Sequence, residues 1–137
     1  IALVAAYVMF LAGMGFTDSY FANQRMNSEE FNRSVWIAAG NGDDLCTRWR
    51  MWGDLQTNYL KTGIAKSEVY QLLGRPKRET TNGNFGGGYK VAGVDDDAQC
   101  SYWGLGYCAS FWASGENAVI CWDDEDRLLK TDVWVWG

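Results

Sequence analysis

The chain has no histidine, a single proline, no Cys-x-x-Cys pair and no excess of positive charge. Without histidine, His-based triads, proton relays and histidine-containing metal sites are excluded. With 12 basic against 17 acidic side chains in 137 residues, net charge −5, the chain lacks the electrostatic footprint of a nucleic-acid binder. The imbalance is uneven: residues 17–90 hold ten basic and eight acidic side chains, residues 91–137 two and nine. No internal repeat is visible, and the length suits one domain with a short appendage. What is abundant is apolar: 47% of the residues are hydrophobic and eight are tryptophan, enough to build a core and to exclude disorder.

The longest uncharged run opens the chain. Ile1 to Phe16 (IALVAAYVMFLAGMGF) carries no charge, and the first acid is Asp18. As a helix it covers about 24 Å, short of a hydrocarbon core of about 30 Å. Apolar residues ahead of Ile1 are expected to complete a span. The reading is a transmembrane anchor over 1–17, with Ile1, Leu3, Val4, Tyr7, Phe10, Leu11 and Phe16 facing lipid. A signal peptide and a buried core helix are the alternatives; the first is normally removed at a small-residue site. Leu11-Ala12-Gly13 resembles the start of a lipoprotein signal, but Met14 stands where the lipidated cysteine belongs. The flank from Thr17 to Phe31 is not positive, which places the domain C-terminal to the anchor on the outer side of a membrane.

Cys46, Cys100, Cys108 and Cys121 form an even set suited to an oxidising compartment. Three pairings exist. The favoured one joins Cys100 to Cys108 across a Gly-rich aromatic segment and Cys46 to Cys121; four buried reduced thiols are the alternative.

Asn27-Ser28-Glu29-Glu30 reads as a capped helix start, running to about Ala39 and stopping at Gly40-Asn41-Gly42. Asp43 or Asp44 then caps a helix whose Leu45, Trp49, Trp52, Leu55 and Tyr59 recur at helical spacing. The next helix runs from Lys66 to Leu73, stapled by Ile64 and Val69, ended by Gly74 and stopped by Pro76. Gly86-Gly87-Gly88 reads as a flexible loop. Four aromatic and β-branched segments come next, predicted as strands: Cys100–Trp103, Tyr107–Trp112, Ala118–Trp122 and Leu128–Trp136, the last two joined by a turn at Asp123–Asp126. The expected fold is α+β: an N-terminal transmembrane helix, a connecting segment with a short helix over 18–42, then helices packed on one face of an antiparallel four-stranded sheet over 43–137.

Several of these segments resemble one family. Arg50-Met51-Trp52-Gly53-Asp54-Leu55, Asn58 to Ile64, and Glu68-Val69-Tyr70-Gln71-Leu72-Leu73-Gly74-Arg75-Pro76 are similar to the helix–LLGxP stretch of small bacterial envelope proteins of the SmpA/OmlA (BamE-like) kind. Phe31-Asn32-Arg33 with Trp36 resembles their lead-in, Ser101-Tyr102-Trp103-Gly104 a strand, and Ala118 to Asp123 with Arg127-Leu128-Leu129 their hairpin. Asp126 stands where the family carries its turn glycine, and Ala65 where it carries a cap. The resemblance implies two helices on an antiparallel sheet, a shape shared with the β-lactamase-inhibitor protein. It also implies an extracytoplasmic location and a role in holding protein partners. With the anchor, the expected location is the bacterial inner membrane, single-pass, with the C-terminal domain in the periplasm.

The remaining motifs point to surface, not chemistry. Asp95-Asp96-Asp97 and Asp123-Asp124-Glu125-Asp126 lack the spacing of a calcium loop and read as solvated turns. The glycine run lacks the strand–loop–helix context of a phosphate cradle, and the cysteines lack a base. No enzyme activity, cofactor, metal or nucleic-acid partner is expected. The tryptophans exceed the needs of a small core, and adjacent strand residues point to opposite faces. Trp103, Trp112, Trp134 and Trp136, with the Gly-rich loop, are therefore the candidate interface. The expected role is a non-catalytic accessory subunit scaffolding a larger membrane complex, its partners being integral membrane protein subunits and membrane lipid. The alternative is a secreted inhibitor or ligand-binding module of the same fold.

Overall fold

The computed structural model describes residues 28–41, 46–108 and 115–136; the side chain of Trp136 lies outside that description. Among these residues three α-helices, α1 (Arg33–Ala38), α2 (Thr47–Asp54) and α3 (Lys66–Leu73), precede or flank four strands. These are β1 (Arg78–Thr81), β2 (Gln99–Gly106), β3 (Gly115–Trp122) and β4 (Leu128–Trp136). The strands form one antiparallel sheet in the order β1-β2-β3-β4, so each pairs with its neighbour in sequence. The domain is α+β.

The expectation of a leading transmembrane helix is corrected: among the described residues no helix is long and apolar enough to cross a membrane. Its residues Ile1, Leu3, Val4, Tyr7, Phe10, Leu11 and Phe16 lie outside the described residues.

Alternation along the strands feeds two cores. Trp103, Leu105, Ala118, Ile120, Trp122, Leu128 and Val133 face the helices and pack on Trp36, Trp52, Leu55, Val69 and Leu73. Cys100, Tyr102, Val119, Cys121 and Trp134 point the other way, where the loop after β1 covers them with Phe85, Tyr89, Val91 and Val94. The sheet is thus buried on both sides, by helices on one and a loop on the other.

The first helix begins later than predicted, at Arg33, with Asn32 as its cap; the Asn32 side chain accepts from Val35 N at 3.1 Å. The reason lies upstream. The Glu29 N–H donates to Arg50 O at 3.2 Å, and the Phe31 N–H donates to Asp54 Oδ2 at 2.7 Å. Backbone groups held by α2 cannot join a helical ladder of their own. The predicted caps Asp43 and Asp44, with Leu45, lie outside the described residues; the residue preceding α2 is Cys46, in a left-handed conformation (φ 62°). At its other end α2 widens into a π-helical turn, Leu55–Tyr59. Helix α3 has the expected bounds, and Ala65 supplies no side-chain cap.

Two strand expectations are corrected. β1 was not expected: its Arg-Glu-Thr-Thr sequence carries no apolar alternation, because as a sheet edge it exposes polar side chains. Nor does a strand begin at Tyr107. β2 ends at Gly106 after an irregularity at Gly104/Gly106, and the Cys108 N–H then donates to the buried Glu116 carboxylate at 2.8 Å. Residues 109–114 lie outside the described residues. Gly104 is required by close approach: a Cβ there would lie 1.8 Å from the carbonyl oxygen of Asn41.

The disulfide pairing is also corrected. The bonds are Cys46–Cys108 and Cys100–Cys121. Cys100 and Cys121 are direct cross-strand partners in the β2–β3 register, with Cα atoms 4.0 Å apart. Sequence spacing carries no information on that register. The first bond belongs to the helix-side core, the second to the loop-side core.

Candidate functional site

The loop between β1 and β2 builds a surface feature on the second face. Its anchor is Asn82, fully buried in the 3-10 turn Asn82–Asn84. The Asn82 amide donates to Val91 O at 3.1 Å and Val94 O at 2.9 Å, and its carbonyl accepts from Val91 N at 2.8 Å. One side chain thereby closes the loop on itself. Between these pins, Gly86, Gly87 and Gly88 all have positive φ (99°, 60° and 76°), with nothing within 4 Å of a Cβ placed on any of them. The glycines are there for backbone conformation, not for room.

The flanking aromatics, Phe85 and Tyr89, are set edge-on to each other, 5.2 Å apart, over the sheet. Phe85 meets Trp134 at 5.4 Å and Tyr102 at 6.0 Å, and Tyr102 meets Trp134 edge-on at 5.5 Å. Tyr89 and Trp134 lie nearly parallel, 17° apart at 5.5 Å. The Tyr89 hydroxyl donates to Asp132 Oδ2 at 2.7 Å. Burial, and then the bond to that carboxylate, raise the Tyr89 phenol far above its ordinary pKa. The four rings, the glycine run, Lys77 and Val135 line an open groove of about 760 Å³.

The expected interface residues part company here. Trp134 is a wall of the groove, together with the Gly-rich loop. Trp103 is a correction: it is fully buried on the helix side, its Nε1 donating to Gly74 O at 3.1 Å, and no partner can reach it. Trp112 and the side chain of Trp136 lie outside the described residues. Phe85, Tyr89, Tyr102 and Lys77 were missed. The aromatic residues bracketing three glycines were the available signal for the first two.

A second, polar cluster lies on the α3 side. The Tyr70 hydroxyl donates to the Glu79 carboxylate and meets Ser101 Oγ at 2.7 Å; Lys66 Nζ sits 3.8 Å from Glu79 and 4.0 Å from Asp126. Lys66 also lies over the Tyr70 and Trp122 rings, at 5.6 and 5.7 Å. Burial first, then Glu79, push the Tyr70 pKa strongly upward, so this phenol holds its proton. Such a tyrosine is a poor base, and the cluster ties helix to sheet. The acidic turns behave as expected of solvated segments. Asp123 Oδ1 accepts from Glu125 N and Arg127 N, Asp126 takes the left-handed conformation (φ 56°), and Asp96 pairs with exposed Lys90 at 2.6 Å. Among the described residues no group of His, Cys, Asp or Glu is arranged to hold a metal.

Neither a family model, a curated protein nor a solved structure matches this chain.

Proposed function

We propose that this chain is a non-catalytic protein-binding module of the bacterial envelope, an accessory part of a larger membrane protein complex, of the SmpA/OmlA (BamE-like) kind. The observation that carries the reading is the aromatic groove on the second face. Half-buried Tyr89 and Trp134, backed by the buried rings of Phe85 and Tyr102, give the groove the composition of protein-interaction hot spots. Two disulfides in a small domain support an extracytoplasmic site of action. The helix–LLGxP stretch, with α3 ending at Gly74 just before Pro76, supports the family reading, while the uncapped Ala65 at its start departs from the family pattern.

The groove also supports a second reading. Its volume lies within the range of about 300–1,000 Å³ typical of small-molecule sites, as a secreted inhibitor or ligand-binding module of the same fold requires. Mild-detergent extraction of native membranes, followed by sizing and mass spectrometry, separates the two. Recovery in a large assembly is the expected result and names the partners. Recovery alone at monomer size overturns the accessory role in favour of the free module.

A further inference from the structure

We infer that the groove receives the C-terminal end of a partner polypeptide, a free carboxylate on the same carbon as an apolar or aromatic last side chain. The inference rests on the protein-binding reading above and narrows it to one kind of peptide end.

The chemistry of the lining selects that ligand. In a chain of net charge −5, among the described residues the groove is lined by one cation, Lys77, and by no aspartate or glutamate. Lys77 is exposed and makes no ion pair among the described residues, whose ion pairs join Arg50, Lys66 and Lys90 to other acids. Asp132, bonded to the Tyr89 hydroxyl, is not part of the lining. Three consecutive exposed glycines add backbone amides. Among the described residues Gly86, Gly87 and Gly88 donate no backbone hydrogen bond, while Gly86 O accepts from Tyr89 N at 3.2 Å. The Lys77 ammonium, in no ion pair among the described residues, and backbone N–H groups that donate to no backbone carbonyl line the same groove, donor chemistry suited to a carboxylate.

The rings supply the other half. Phe85, Tyr89, Tyr102 and Trp134 offer apolar walls in the same cavity as those donors. A chain terminus carries its carboxylate and its last side chain on one Cα, so both arrive together. A sugar needs acceptors for its hydroxyl protons, and among the described residues no carboxylate or amide side chain lines the groove.

The test uses the full oxidised chain, isotope-labelled, titrated with acetyl-Ala-Ala-Phe as the free acid and as the C-terminal amide. The acid is expected to shift the Gly86–Gly88 amide and Trp134 indole resonances and to bind at least tenfold more tightly than the amide. Lys77→Ala, an exposed substitution, reduces that preference to threefold or less while the peptides still perturb Trp134. Trp134→Ala removes binding of both. Equal affinity of acid and amide, or no shift in the groove with either peptide, overturns the inference. So does tighter binding there by a trimer of N-acetylglucosamine. Absence of a large assembly in native membranes would remove the accessory role without altering the acid-over-amide preference, so the two failures are distinguishable.

Discussion

Single residues show how the aromatic surplus is distributed. Trp36, Trp49, Trp52, Trp103 and Trp122 are all buried in the helix-side core, so most of the tryptophans are packing, not display. The Trp36 indole N–H donates to Leu73 O at 3.1 Å, and Arg48 lies over its ring at 4.6 Å while donating to Trp36 O at 2.9 Å. Trp103→Ala removes a fully buried ring and strands Gly74 O; a loss of about 3–5 kcal/mol in urea unfolding is expected. Tyr70 and Tyr89 act through their protons. Each has its folded pKa raised above that of the unfolded chain, 10.0, chiefly by burial. Above pH 10 the unfolded state releases protons that the folded state keeps, so this contribution to stability is present below pH 10 and lost as pH rises beyond it. Absorbance at 295 nm should show these two phenols ionising only with unfolding, the loss of near-ultraviolet circular dichroism tracking the same curve.

At the scale of elements, legibility went with locality. Helix α3 was readable to the residue because its staple, its terminating glycine and Pro76 are all within a dozen positions. The β3–β4 turn was readable for the same reason, and Asp126 takes the left-handed conformation there (φ 56°). What depended on distant partners was not. β1 is polar because among the described residues it is the sheet's edge, and α1 starts late because α2 holds the backbone before it. The loop after β1 read as flexible because its anchor, Asn82, looks in sequence like any turn residue. Asn82→Ala deletes three hydrogen bonds to Val91 and Val94 in a buried position. It is expected to cost about 1–3 kcal/mol and to make residues 85–98 the first site of limited proteolysis, with cleavage mapped by mass spectrometry. Since the rings of Phe85 and Tyr89 are delivered by that loop, the groove is lost with it.

At the scale of the whole molecule, the decisive feature is a sheet covered on both faces. In sequence, the candidate interface falls on the aromatic sheet face and the Gly-rich loop; the structure shows Trp134 lining a groove together with that loop. Its depth was invisible, because the pairing register decides which tryptophan faces which side. The two disulfides divide along the same plane. Cys46–Cys108 closes 62 positions on the helix side, and Cys100–Cys121 closes 21 on the loop side. Removing the longer link by paired Cys→Ala substitution is expected to cost about 4 kcal/mol and the shorter about 3, measured by urea denaturation of each double variant. A reversed ranking would show that closure entropy is not the controlling factor.

The same pair of links sets a schedule for oxidative maturation. Cys100 meets Cys121 as soon as two adjacent strands align, whereas Cys46 meets Cys108 only when a helix has docked against a finished sheet. Quenching a reduced chain with iodoacetamide at intervals after oxidant is added should therefore capture the cross-strand link alone before the fully oxidised form. Until the second thiol pair closes, the newly made molecule carries its sheet covalently stapled and its helical layer still exchangeable.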